Sequence, residues 1–139
     1  MKIFGRAPKR IFAIVGLFPT HVFASIRCIF LFCRPIGVLW AYIKRQNPSN
    51  GYVRLRNGLV IHLSQDNSDI VTVFLIFCRH DYGSIDPDCM VVDIGANIGV
   101  FALYAAMSGA KSVMAYEPAE ESFALLKKNI QCNGYEAII

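Results

Sequence analysis

From Cys89 to Ile139 the chain reads strand, helix, strand, helix, and this alternation restricts the architecture more than any other feature. "CMVVDI" is an unbroken apolar run of the kind that forms a strand buried on both faces, as parallel strands are. "NIGVFALYAAMSG" has helical length, is apolar nearly all round, and is closed by Gly109. "SVMAYEP" reads as a second buried strand. "AEESFALLKKNIQCNG" puts Glu120 and Glu121 in a first turn, Lys127 and Lys128 late, Phe123, Leu126 and Ile130 on one face, and Asn133 and Gly134 at the stop. "EAII" has the character of a third strand opening. The pattern predicts a parallel α/β sheet with right-handed crossovers.

Upstream the pattern is different. "YVRLRNGLVIHL" alternates Tyr52, Arg54 and Arg56 with Val53 and Leu55, and its Asn57-Gly58 pair suits a two-residue hairpin turn with positive φ. "DNSDIVTVFLIFCRHDYG" begins with capping residues at Asp66 and carries Arg79 and His80 near its end. It favours a helix, although Val71, Thr72, Val73 and Phe74 also suit a strand. "RQNPSNG", residues 45–51, breaks both helix and strand and reads as a linker. Three segments result: a basic apolar segment at 1–45, a linker, hairpin and helix at 46–88, and an α/β unit at 89–139.

Charge divides along the same line. Met1 to Gln65 holds ten Lys or Arg and no Asp or Glu, whereas Asp66 onward holds four basic and ten acidic residues. The early basic residues are scattered among Ile, Phe, Leu and Val, which suits a membrane surface and argues against nucleic acid as a partner. Lys2, Arg6, Lys9 and Arg10 precede the apolar run Ile11 to Ala24, the layout of a secretory signal, with Val22 and Ala24 as small residues before a cut. Ile11 to Ile26, without Lys or Arg, is short for a membrane span, which needs about 20 residues. An interfacial anchor, a cleaved signal and a segment packed on the domain are the three readings left open. The five cysteines, Cys28, Cys33, Cys78, Cys89 and Cys132, have neither zinc nor disulfide spacing and read as buried apolar residues in a reducing, cytoplasmic compartment. No metal site is expected, and His21, His62 and His80 read as structural or solvent-facing.

The chemistry concentrates in "VVDIGANIGVF". In a parallel sheet the turn after a strand faces the ligand crevice, and Gly95 and Gly99 allow close approach of a ligand there. The same glycines could instead serve only tight packing. The dinucleotide fingerprint G-x-G-x-x-G fails, because Asn97 and Val100 stand at its later glycine positions. Asp93 would also repel a pyrophosphate. A ligand with an ammonium and a carboxylate fits better, the carboxylate at the N-terminus of a helix starting near Asn97. Glu117 lies 24 residues after Asp93 at the next strand end, where an acid about 20 residues on accepts ribose hydroxyls in doubly wound folds. Pro118 is expected at the first helical position after it. An amino-acid end beside a ribose describes S-adenosylmethionine.

The strings "VVDIGANIGVFALYAA" and "AYEPAEESFALLKKNIQCNG", with the looser "VRLRNGLVIHL" and "DYG" upstream, resemble the FkbM-type S-adenosylmethionine-dependent methyltransferases. The specific combination covers residues 91–134. The resemblance implies a doubly wound, Rossmann-like class I methyltransferase fold and O-methyl transfer to a sugar, polyketide or similar small-molecule acceptor. It makes Asp93, Gly95, Ala96, Asn97 and Gly99 the first cofactor loop and Glu117 with Pro118 the ribose turn. Such folds have seven strands, so this chain is expected to be an N-terminal fragment without a nameable catalytic base. Tyr82, Tyr104 and Tyr116 are conceivable proton carriers that also suit packing roles. A truncated sheet would expose an apolar strand edge open to self-association, and the chain alone is expected to bind S-adenosylmethionine weakly or not at all. The competing reading is a non-catalytic, membrane-associated or interaction fragment with a relic cofactor loop.

Overall fold

A break at Arg34-Pro35 divides the basic N-terminal segment into two helices. In the computed structural model residues 8–65 and 69–139 are described. Lys2 and Arg6, and the capping residues Asp66, Asn67 and Ser68, lie outside them. Helix α1 (Pro8–Leu31) stops where the chain pairs with the later hairpin, Leu31 O accepting Arg56 N–H at 2.8 Å and Cys33 N–H donating to Arg54 O at 3.0 Å, and Arg34, the residue before proline, is kept out of the helical region. Arg34 has φ −124° and ψ 67°, and Pro35 opens α2 (Pro35–Lys44), where its missing N–H costs nothing. Arg45 closes α2 in the left-handed conformation, its N–H and that of Gln46 bonding back to Tyr42 and Ala41.

The hairpin forms as expected, with β1 (Tyr52–Arg54) antiparallel to β2 (Val60–His62) and Val53 opposite Ile61. Its turn differs from the expected two-residue type. Leu55 N–H bonds to Leu59 O at 2.8 Å and Gly58 N–H to Leu55 O at 3.1 Å, so three residues make the loop. Gly58, at φ +101°, is left-handed and Asn57 is not, which is the combination that a bulged three-residue loop needs. Next, α3 (Asp69–Val73) runs into a π-helical turn, Phe74–Arg79, ended by left-handed His80. Ile70, Val73, Phe74, Ile76, Phe77 and Cys78 are all buried there, which decides for helix over strand.

The α/β unit is borne out as β3 (Met90–Ile94), α4 (Val100–Met107), β4 (Ser112–Tyr116) and α5 (Glu120–Asn133). The strands are parallel, Val91 opposite Val113 and Asp93 opposite Ala115. Gly109, just past α4, is left-handed at φ +96°. "EAII" forms a turn rather than a strand, contributing one backbone bond from Val113 N–H to Ile138 O at 2.7 Å. The architecture among the described residues is mixed α/β, five helices with two two-stranded sheets.

One apolar core spans all three segments. Cys28 of α1 and Phe32 just after it, Val38 of α2, Leu55 and Ile61 of the hairpin, Phe74 and Phe77, and Ile98 and Leu103 pack together. Tyr42 stacks on Phe74 with ring centroids 3.9 Å apart. Each such large side chain, once buried, contributes roughly 1.5–3 kcal/mol.

Three expectations are corrected by burial. Strands β3 and β4 are covered on one face only: Ala102 and Ala105 of α4 pack with Val91 and Val113, while Met90, Val92, Ile94, Met114 and Tyr116 are exposed. An apolar run fixes no covered face, and here no described element lies over the second one. Phe123 of α5 is exposed with Lys127 over its ring at 5.0 Å, because Leu126 and Asn129 occupy the buried face. Of the cysteines, all free thiols, Cys33 and Cys132 are exposed. Cys28 and Cys78 are buried and share a hydrogen bond, which with burial pushes the Cys78 thiol up, so that it stays neutral.

Candidate functional site

Parallel pairing brings the carboxyl ends of β3 and β4 side by side, and all seven residues read as site residues gather at that end. Asp93 is the penultimate residue of β3 and Glu117 the first residue after β4. Between them the turn 95–99 folds by three left-handed residues: Gly95 at φ +79°, Asn97 at φ +50° and Gly99 at φ +84°. Asparagine is among the few side chains that tolerate this region.

Backbone bonds close the turn. Gly95 and Ala96 both donate N–H to Tyr116 O, at 2.9 and 3.0 Å, and Gly99 donates to Ala96 O at 2.8 Å. Asn97 N–H donates to Glu117 Oε2 at 2.7 Å. The other carboxylate oxygen, Oε1, accepts Ala119 N–H at 2.8 Å. Glu117 is therefore clamped between the two strand-end turns, with one further lone pair on each oxygen left to accept. A loop whose amides are spent in this way offers little to phosphate, which agrees with the failed dinucleotide fingerprint.

The two glycines divide the two roles considered for them. A methyl group on Gly99 would run into the Leu126 side chain, whereas one on Gly95 would meet nothing within 4 Å. Gly99 serves packing of the turn on α5. Gly95 faces open space, where a ligand can approach the backbone. Ala96 is buried; Asn97 and Pro118 are exposed.

Asp93 is the polar group left over. Its Oδ2 is buried and has no hydrogen-bond partner among the described residues. Burial pushes its carboxyl above the ordinary range, a backbone bond from Ala102 in the first turn of α4 opposes that shift, and the charge of Glu117 adds to it. Among the described residues no cation pairs with it.

Two placements are corrected. Helix α4 starts at Val100, not near Asn97, with Gly99 as its cap, because left-handed Asn97 and Gly99 cannot be helical. Since Asn97 N–H is already taken by Glu117, the amides a helix leaves over at its start are here those of Val100 and Phe101. Pro118 precedes the cap, Ala119, rather than opening α5. As for the tyrosines, Tyr104 is buried and donates its hydroxyl to Gly83 O at 3.0 Å, edge-on to Phe77, so it is a packing residue. Tyr82 lies against Phe101 with centroids 5.4 Å apart, and Tyr116 is exposed.

Asn133 and Gly134 stop α5 as expected, but the sequence reading missed the hydrogen bonds that Asn129 and Asn133 make. Asn129 is fully buried, its Nδ2 donating to Ile98 O at 2.8 Å and His62 O at 3.0 Å while Oδ1 accepts His62 N–H at 2.8 Å. Asn133 makes the same bracket on Val60, accepting its N–H at 2.8 Å and donating to its O at 2.7 Å. Four residues apart on α5, they replace a strand neighbour for β2, and Asn129 also holds the cofactor-loop candidate at Ile98. An asparagine between Leu126 and Ile130 on the apolar stripe was the available signal.

No protein-family model matches the chain. No solved structure matches it either.

Proposed function

We propose that the strand-end turn between β3 and β4 binds S-adenosylmethionine, and that the chain serves O-methyl transfer of the FkbM type to a sugar, polyketide or similar small molecule. In this reading β3, α4, β4 and α5 are the opening half of a doubly wound, Rossmann-like methyltransferase sheet in a cytoplasmic protein. The observation that carries it is Asp93, a carboxylate with a buried oxygen that has no partner among the described residues, beside a second acid that two amides hold in place. A buried anion without a partner is costly, and an ammonium group relieves that cost.

The residues present fit the cofactor. Asp93 receives the ammonium, the first-turn amides of α4 receive the carboxylate, and the remaining lone pairs of Glu117 accept ribose hydroxyls. Gly95 leaves the backbone open beside them. The chemistry such a cofactor supplies is an electrophilic methyl on a sulfonium. Asp93 and Glu117 bind and orient; neither removes the proton of the acceptor hydroxyl in this reading, and Tyr104 is spent in the core.

The test is a titration of the isotopically labelled chain, followed by the backbone amide resonances. Millimolar S-adenosylmethionine is expected to shift Gly95, Asn97, Val100 and Ala119, with affinity weaker than micromolar for this chain alone. Adenosine, which lacks the amino-acid end, should move Ala119 and Asn97 and leave Val100 in place. Asp93→Asn should abolish the Val100 response. Shifts confined to other regions, or an unchanged response in Asp93→Asn, would overturn the assignment.

A further inference from the structure

We propose that helices α1 and α2 dock this protein on an anionic membrane surface, with exposed apolar stripes entering the headgroup boundary and arginines meeting lipid phosphates. This surface is separate from the strand-end turn and does not rest on the cofactor reading. Helix α1 buries Ala24, Cys28 and the following Phe32, yet on its opposite side Phe23, Ile26 and Phe30, three to four residues apart, are exposed. Helix α2 repeats the pattern. It buries Val38 and Ala41 and exposes Ile36 at 81%, Trp40 at 58% and Ile43 at 69%, a stripe with i, i+4, i+7 spacing.

Charge complementarity names the occupant. Between Met1 and Gln65 there is no acidic residue, and Arg27, Arg34, Lys44, Arg45, Arg54 and Arg56 are all exposed. Arg34, Arg54 and Arg56 line a cavity of about 500 Å³ between the start of α2 and the hairpin, with Tyr52 beside them. Lys44 lies over the Trp40 ring at 5.0 Å, joining an apolar plate to a cation as interfacial surfaces do. The surface thus reaches past residue 45, because the hairpin arginines complete it. Single-stranded nucleic acid would use the aromatic rings and arginines but not exposed Ile26, Ile36 and Ile43, which offer no stacking face. A second copy would set like charges against each other. No helix among the described residues is long and apolar enough to cross a membrane, so the helices lie along the surface.

Trp40 is the sole tryptophan and reports directly. The full chain is mixed with vesicles of phosphatidylcholine, with or without phosphatidylserine, carrying brominated acyl chains. With phosphatidylserine the emission is expected to shift to the blue and be quenched by bromine; with phosphatidylcholine alone the response should be far weaker. Arg34→Ala, Arg54→Ala and Arg56→Ala, all exposed changes, should each lower partition about fivefold and together about a hundredfold. Ile36→Ser with Ile43→Ser should reduce quenching on the same vesicles. Equal response to neutral and anionic vesicles, no response to either, a response to single-stranded RNA alone, or burial of Trp40 by lipid-free dimerisation would overturn the proposal.

Discussion

Two polar constellations meet at the turn 95–99, and they are satisfied to different degrees. On the α5 side every group is used. Asn129 makes three hydrogen bonds and Asn133 brackets Val60. Asp69 repeats this at the far end of the hairpin, accepting Ser64 N–H at 2.8 Å, Ser64 Oγ–H at 2.6 Å and Asn47 Nδ2–H at 3.1 Å. On the strand-end side Asp93 keeps an oxygen without a partner among the described residues. Buried polar groups that serve the fold find their partners; one that does not is either a cost without return or the place where a ligand completes the set. The difference separates scaffold from candidate site more sharply than residue type does, since both constellations are built from Asn, Asp and Glu.

Removing a member of the satisfied set should have the largest effect. Asn129→Ala strands the N–H and C=O of His62 and the C=O of Ile98, and is expected to cost about 3 kcal/mol or more, a large part of what a small domain has. Urea unfolding should show the loss. Asn133→Ala, at the more exposed end of the same bracket, should cost about 1–2 kcal/mol. If the two variants were equal, Asn129 would not be holding Ile98 and the contrast with Asp93 would weaken.

The glycines come next. Gly99→Ala meets both left-handed backbone and the Leu126 side chain and should cost about 2–4 kcal/mol. Gly95→Ala meets only the backbone penalty, about 1–2 kcal/mol, yet should remove the Val100 response to S-adenosylmethionine. Stability read by thermal melting and binding read by amide shifts should therefore rank the two variants in opposite order. The same ranking on both scales would mean that Gly95 is structural as well.

How much of this was legible depended on periodicity. Runs such as "CMVVDI" and "AEESFALLKKNIQCNG" announce strand and helix because local spacing determines them, and the strand-end grouping of Asp93 and Glu117 follows from two parallel strands. Coverage of a strand face is not local, so the exposure of Ile94 and Tyr116 could not be read. The Asn57-Gly58 pair signalled a turn correctly, but only the backbone bond between Leu55 and Leu59 sets its length. Left-handed Asn97 moved the start of α4 by three residues, since Asn is tolerated in both helical and left-handed backbone. The bracket formed by Asn129 and Asn133 and the orphan oxygen of Asp93 are tertiary facts, invisible until the hairpin is set against α5.

The smallest expected effect on the fold is the most telling for the site. Asp93 holds its proton above its ordinary value of 3.8 in the folded chain, chiefly through burial. Folding therefore takes up a proton between 3.8 and that raised value, and the stability attached to Asp93 is lost as pH rises through the window. His62 and His80 act the other way. Burial holds both below 6.5, with Lys128 and Arg27 respectively adding to it, so they weaken the fold as pH falls below 6.5. Comparing the native chain with Asp93→Asn cancels the histidines. The variant is expected to melt higher at neutral pH, with the advantage shrinking toward acid, and to lose the Val100 response to S-adenosylmethionine. A gain in stability coupled to a loss of binding marks a residue kept for its ligand. If Asp93→Asn were instead less stable at neutral pH, the Ala102 bond would outweigh burial, and Asp93 would join Asn129 and Asp69 among the scaffold residues.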